Sequence, residues 1–276
     1  MHYTDTILGQ IIKSKTNYSP QVLHPIARSI ARQDISKELS NVESGWDDWV
    51  HYELAWCNAS GCPQIGILII SIPWDSPFII ESKSLKLYLN SLTFTKFNNR
   101  QELLATIKND LEKTINAKLN LKLFDVADWI TAQPKKPNNQ SFIIDNCLTS
   151  YEETNNITKD FLSCEKKASQ ETLISNNFRS NCPVTGQPDW ATIIITYKGP
   201  TILKTGLYKY LLSYRKHQGF HEQCIEMIFA DIMAKCKPTT LEVRGYFTRR
   251  GGLDINPIRS TAKHKTSPSL QIQSRQ

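Results

Sequence analysis

Trp49-Val-His-Tyr-Glu-Leu-Ala-Trp56, followed by Ala59-Ser-Gly-Cys-Pro63 and Gln64-Ile-Gly-Ile-Leu-Ile-Ile-Ser-Ile72, is the stretch on which the fold turns. In the first run Trp49, His51, Glu53 and Ala55 alternate with Val50, Tyr52, Leu54 and Trp56, the period-two signature of a strand. The last run is rich in β-branched residues, and the segment between supplies turn formers. The pattern predicts a β-hairpin.

Downstream, Ser82–Leu92 predicts a helix with Leu85, Tyr88, Leu89 and Leu92 on one face. Asn98 or Asn99 can cap a second helix, where Leu103, Leu104, Ile107, Leu111 and Ile115 recur at three- and four-residue spacing. Leu119–Val126 reads as a third strand. The second half repeats this order. Thr172–Ser180 and Asp189–Tyr197 read as strands around the turn-rich loop Cys182–Pro188. Lys204–Tyr214 and Phe220–Lys235 read as helices, and Thr240–Thr248 as a closing strand. Two antiparallel sheets, each crossed by a helix pair, make an α+β protein of duplicated topology. The duplication rests on element order, because the halves share almost no sequence. The expected organisation is an N-terminal arm over 1–45, helical only near Ile26–Ile30, a first module over 46–132, a linker over 133–142 and a second module over 143–276.

At 276 residues and 40% hydrophobic, with six Trp, ten Tyr and ten Phe, the chain can bury a substantial core, which excludes wholesale disorder. Its longest apolar stretch, Ile67–Ile72, is interrupted by Ser71 and is too short to span a bilayer. The N-terminal residues show no basic segment followed by an apolar core. The expectation is a soluble, cytoplasmic protein without a membrane partner. Seven cysteines lack any C-x-x-C spacing, which suggests neither a disulfide framework nor a paired-cysteine zinc site. Of the net charge of +7, +5 falls within 241–276, including Arg249, Arg250, Lys263 and Lys265. That excess suits an anionic partner such as a phosphate-bearing cofactor or RNA, or else is a solvated tail from Lys263 onward.

The glycines form neither G-x-G-x-x-G nor a P-loop, and G-x-S-x-G is missing too. Only His217 and His221 share helical spacing, whereas a catalytic zinc site takes three protein ligands. No metal is expected. Cys182 stands outside any apolar periodic pattern in Asn181-Cys-Pro-Val-Thr-Gly-Gln-Pro-Asp-Trp190, and a cysteine on a loop can act as a nucleophile. Asp189, at the mouth of the next strand, can serve as a proton donor. The same residues also fit a buried structural cysteine and a turn aspartate. Glu81 and Glu222, each near a helix start, either answer the helix dipole or accept paired N–H donors from a guanine-like edge.

Four blocks then resemble one family in order: Glu81-Ser-Lys-Ser-Leu-Lys-Leu-Tyr-Leu-Asn90, Ser180-Asn-Cys-Pro-Val-Thr-Gly-Gln-Pro-Asp-Trp190, Phe220-His-Glu-Gln-Cys224 and Thr248-Arg-Arg-Gly-Gly-Leu-Asp-Ile-Asn-Pro257. The chain resembles the two-module queuosine-pathway nitrile reductases, the NADPH-dependent 7-cyano-7-deazaguanine reductases, from about residue 20 onward. The resemblance implies tandem tunnelling-fold modules, each a four-stranded antiparallel sheet with two helices, in a homodimer. It implies a four-electron reduction of a nitrile to a primary amine by NADPH, in tRNA queuosine biosynthesis. By the same resemblance Cys182 attacks the nitrile carbon to give a thioimide, and Asp189 donates the proton. Ile80, Glu81, Ser82, His221 and Glu222 hold the deazaguanine. Ser82, Lys83, Arg250 and Gly251 contact NADPH. Neither metal nor a stable nucleic-acid partner is implied. Two rivals stand beside this reading: another tunnelling-fold purine or pterin enzyme, such as a cyclohydrolase, and a non-catalytic nucleotide- or RNA-binding module.

Overall fold

The computed structural model describes residues 17–131, 141–267 and 276. In chain order the strands are β1 (Pro25–Ala27), β2 (Ser44–Cys57), β3 (Pro63–Pro73), β4 (Phe78–Ile80), β5 (Asn120–Phe124), β6 (Ser141–Ile143), β7 (Cys164–Asn181), β8 (Pro188–Ile202), β9 (Thr240–Phe247) and β10 (Leu253–Ser260). The helices are α1 (Ser29–Arg32), α2 (Ser36–Leu39), α3 (Ser82–Ser91), α4 (Arg100–Ile115), α5 (Val126–Thr131), α6 (Lys204–Leu212) and α7 (His221–Cys236). Pairing is antiparallel for β1–β4, β3–β5, β7–β8, β8–β9 and β9–β10, and parallel for β6–β7, giving a mixed α+β protein. Among the described residues the chain divides into two units. The first holds 17–30, 47–131 and 249–254; the second holds 31–46, 141–248, 255–267 and 276. The linker expected over 133–142 lies outside the described residues up to 140, as do 1–16 of the expected arm. No helix among the described residues is long and apolar enough to cross a membrane.

In the first unit the hairpin forms as the alternation predicts, with β3 between β2 and β5. Its turn closes through Asn58 N–H to the Cys62 carbonyl (2.9 Å) and Gly61 N–H to the Asn58 carbonyl (2.8 Å), with Gly61 at φ +87°. The Glu81 carboxylate caps α3, accepting from Lys83 N–H (2.8 Å) and Ser84 N–H (2.7 Å). Asn99 caps α4 by accepting from Glu102 N–H at 2.9 Å. The inward faces of the two helices, Leu85, Tyr88 and Leu89 with Leu103, Ile107, Leu111 and Ile115, are all buried. Each such side chain contributes roughly 1.5–3 kcal/mol.

The segment expected to be helical at Ile26–Ile30 is divided between β1 and the single turn α1. Pairing decides it. Pro25 biases the residue before it towards extended backbone, and β1 then pairs with β4 through Pro25↔Ile80, Ile26↔Ile79 and Ala27↔Phe78. Arg28 anchors the end, donating to Asp47 (2.5 Å) and Ser76 (3.1 Å) from a buried position.

His51 lies fully buried in β2, beside the Gly252 backbone, which only partly offsets the cost of charging the ring. Burial, reinforced by the Lys86 ammonium, pushes its pKa down from 6.5 to about 4. The folded protein therefore refuses a proton that the unfolded chain accepts below pH 6.5. Stability falls as pH drops from 6.5 towards 4, by on the order of 3 kcal/mol in total. His51→Leu is expected to raise the melting temperature at neutral pH and to flatten its decline across that window. Thermal unfolding of both proteins at pH 7, 6, 5 and 4.5 checks this; parallel declines would refute it.

In the second unit β7 and β8 form a long antiparallel ladder from Cys164↔Ile202 to Asn181↔Pro188, with β9 on the far side of β8. β10 was not legible as a strand, because Gly251, Gly252 and Pro257 all argue against one. It pairs with β9 through Ile258↔Arg244, Arg259↔Val243 and Ser260↔Glu242, and all eight residues are buried. In α7, Gln223 accepts from Phe220 N–H at 3.1 Å, and the helix buries Cys224, Ile225, Ile228, Phe229 and Ile232. Glu226 is also buried, paired with Arg32 (2.6 Å) and the fully buried Arg259 (2.7 Å). Removing either arginine would leave the carboxylate less compensated, a change that typically costs several kcal/mol. This pairing ties 31–46 into the second unit.

Candidate active site

The β7–β8 hairpin ends in the loop 182–187, and the backbone holds that loop closely. Cys182 N–H donates to the Gln187 carbonyl (2.8 Å), and Gly186 N–H donates to the Cys182 carbonyl (3.0 Å). Gly186 sits at φ +67°, where a side chain would be strained. A further clamp joins the loop to the segment before α7: Asn181 N–H donates to the His217 carbonyl (2.8 Å), and Gly219 N–H to the Asn181 carbonyl (3.1 Å). The nucleophile candidate is thus presented by rigid backbone rather than by a free loop. Cys182 is 7% exposed and Asp189 4%.

The start of α7 supplies the remaining groups. His221 Nε2 lies 3.3 Å from Asp189 Oδ2, and its imidazole stacks on Phe247 at 3.9 Å between ring centroids with an interplanar angle of 9°. Phe247 therefore fixes the ring plane, and Asp189 fixes one nitrogen. Glu222, in the first turn of α7, is buried where the helix N-terminus favours a carboxylate. Cys224, one turn into α7, is fully buried. Burial pushes its thiol up to about 12, with Asp189 and Glu222 adding to the effect and the Ser180 hydroxyl opposing it. It stays a thiol at neutral pH, unlike a poised nucleophile. Burial pushes the His217 pKa down. The structure thus gathers Cys182, Asp189, His221 and Glu222 at one end of the second unit, through the Asn181–Gly219 clamp and the Asp189–His221 contact.

Ile80, Glu81, Ser82, Lys83, Arg250 and Gly251 belong to the first unit. Ile80 ends β4, and Glu81 is buried with both carboxylate oxygens engaged in capping α3. Ser82 and Lys83 open α3. Arg250-Gly-Gly-Leu253 forms a tight turn, with Arg250 N–H to the Leu253 carbonyl at 2.9 Å and Gly251 and Gly252 at φ +55° and +75°. Lys86 Nζ donates to the Arg250 carbonyl at 2.5 Å, and a Cβ on Gly251 would collide with that ammonium. Burial and the Arg250 charge lower the Lys86 pKa. Arg249 lies over the Tyr52 ring at 3.4 Å, and the Tyr52 hydroxyl donates to Asp254 at 2.7 Å.

The resemblance singles out Lys83 and passes over Lys86, whose ammonium the structure places on the Arg250 carbonyl. Lys83 and Lys86 stand at i,i+3 and share a face of α3. Ser180 enters the sequence reading as a strand end and Cys224 as a helix-face residue, both within resemblance blocks and neither with a role. Among the described residues no group of three or more His, Cys, Asp or Glu could hold a metal ion.

Known proteins bear on this arrangement. A family model described as "Nitrile reductase, 7-cyano-7-deazaguanine-reductase N-term" matches residues 14–123, and one described as "QueF-like protein" matches 188–266. The chain is 42% identical over 263 residues to the NADPH-dependent 7-cyano-7-deazaguanine reductase of Acinetobacter baylyi, covering 94% of each protein. It is 44% identical over 255 residues to the reductase of that name from Legionella pneumophila, covering 92% of this chain and 89% of the relative. A solved apo archaeosine synthase chain aligns with 34% of this chain at 16% identity and a TM-score of 0.30, too low to establish a shared fold. At such identity and coverage of the curated relatives, the chain belongs to the NADPH-dependent 7-cyano-7-deazaguanine reductase family of oxidoreductases.

Proposed function

We propose that this protein reduces the nitrile of 7-cyano-7-deazaguanine to the aminomethyl product with two NADPH, by way of a covalent thioimide on Cys182, as a step in tRNA queuosine biosynthesis. The observation that carries the reading is the hairpin tip that buries Cys182 in a backbone clamp and sets Asp189 against His221. A nitrile is a poor hydride acceptor. Addition of the Cys182 thiol across C≡N forms an S–C bond, and the nitrogen gains a proton through Asp189. The carbon becomes electrophilic once that nitrogen is protonated. NADPH supplies the hydrides when bound. Between them the S–C bond breaks, its electron pair returns to sulfur, and an imine is left for the second reduction.

Glu222 is the acceptor for the N–H and amino group of the base edge, and His221, Ile80, Glu81 and Ser82 are further base contacts. Glu81 would contribute lone pairs beyond those that cap α3. Lys83 and Arg250 suit the cofactor phosphates as discrete cations, with Ser82 and Gly251 beside them. The tight Arg250–Leu253 turn, whose glycines keep the backbone bare, fits close approach of a phosphate-bearing ligand. The chain is further read as two tunnelling-fold modules, 46–132 and 143–276, joined over 133–142 and forming a homodimer in the cytoplasm.

The test is NADPH absorbance against added cyano-base: two cofactors oxidised per nitrile consumed are expected, and none would refute the reading. Glu222→Gln is expected to raise the dissociation constant for the base roughly 100-fold with kcat far less affected. An amide cannot accept both donors, and a lost hydrogen bond to a charged group is worth about 1.5–3 kcal/mol. Calorimetric titration measures it; an unchanged constant would remove Glu222 from base recognition.

A further inference from the structure

A buried hydroxyl at this site has no task in the chemistry so far described. Ser180 stands directly opposite Asp189 in the β7–β8 register. Opposed residues of an antiparallel pair point to the same face, with Cβ atoms about 4.5–5.5 Å apart. Ser180 also precedes Cys182 by two residues, on the side of the strand that Asp189 faces. It is 0% exposed, and apart from the Cys224 thiol its Oγ meets no hydrogen-bond partner among the described residues. Its polar neighbour is the Cys224 thiol, a weak partner at best. A poorly satisfied buried hydroxyl is destabilising by about 1–3 kcal/mol, so an alanine would serve the core better at this position.

We infer that Ser180 is a positioning residue for Asp189, its hydroxyl turning through one χ1 rotation to donate a hydrogen bond to the carboxylate left when Asp189 gives up its proton. The inference rests on Asp189 as the proton donor of the proposed reaction. No bond of the serine breaks. The electron pair left on the aspartate oxygen accepts the O–H, which returns to its resting rotamer when Asp189 is reprotonated. The titratable groups about this end of the sheet are His221, Glu222 and Cys224 from α7, His217 from the segment before it, and Cys182 from the loop. The Glu222 carboxylate opposes formation of a second one, while the Cys224 thiol stays neutral and brings no charge. His221 meets one aspartate oxygen at 3.3 Å. The Ser180 hydroxyl is a neutral donor on the residue directly opposite Asp189 in the strand pair.

The experiment compares the pH dependence of kcat for the full chain carrying Ser180→Ala, and for the isosteric pair Ser180→Thr and Ser180→Val, with melting temperature and thioimide yield measured alongside. Loss of the donor makes the carboxylate harder to form. Ser180→Ala is therefore expected to lower kcat about tenfold, leave KM for the cyano-base unchanged and move the basic limb up by about one pH unit. Thr should restore the wild-type limb and Val should not. A merely structural serine would change melting temperature or kcat without moving the limb. A wild-type limb in Ala, or in Val should Ala fail to fold, overturns the inference, as does a Thr variant that behaves like Val. Failure of the wild-type protein to form any thioimide would instead sink the proposed reaction beneath it.

Discussion

Cys182→Ala should form no adduct with the cyano-base and should lose turnover by roughly four to six orders of magnitude, the scale seen when a nucleophile is removed from a covalent catalyst. The remaining groups can bind and polarise the nitrile, but without sulfur the carbon never reaches the imine-like state that accepts hydride. The substitution removes one sulfur from a small buried side chain, so the fold should survive with a cost on the order of 1 kcal/mol. Intact mass after incubation with the cyano-base alone reads the first effect, and NADPH absorbance the second. Cys224→Ala is the informative companion. Its thiol is fully buried and held protonated, so that variant should still form the adduct. An adduct persisting in Cys182→Ala and vanishing in Cys224→Ala would assign the nucleophile to the helix instead of the loop.

The sequence made some of this legible because the relevant forces are local. Alternation at Trp49–Trp56, the 3–4 spacing in α4 and the cap at Asn99 each depend on residues within one turn or one strand. The element order of the second half could be read for the same reason. The candidate nucleophile stood out through what was missing around it, an apolar period to absorb Cys182. What escaped is set by distant partners. β10 carries a proline and follows two glycines, and exists because β9 offers it a ladder. β1 and β4 are three residues each, too short for any period to register. The buried Glu226 draws Arg32 and Arg259 to it from 194 and 33 residues away, which no window on the chain anticipates. In sequence, Glu81 and Glu222 look alike as carboxylates near helix starts. Only the structure separates them, since the Glu81 side chain accepts both capping N–H groups of α3. Ser180 gives no signal in sequence because the residue it faces, Asp189, lies across the strand pair.

Asp189→Asn tests the other half of the chemistry. The amide has nearly the same shape and can still meet His221, so folding and base binding should be close to unchanged. What it lacks is a proton of useful acidity. General acid catalysis is worth about 10²–10⁴ in rate, and the loss should appear twice. Thioimide formation slows because the nitrogen receives its proton as the S–C bond forms. Hydride acceptance slows because the carbon is electrophilic only when that nitrogen is protonated. Quenched intact-mass time courses read the first step without NADPH, and single-turnover absorbance reads the second. The pH profile supplies the decisive sign: a basic limb that reports loss of the Asp189 proton must vanish in the Asn variant, whatever rate remains. Should the variant keep the wild-type limb, or adduct and turnover rates within about threefold of wild type, the proton comes from elsewhere. His221, 3.3 Å from the aspartate and held flat against Phe247, would then be the group to substitute next.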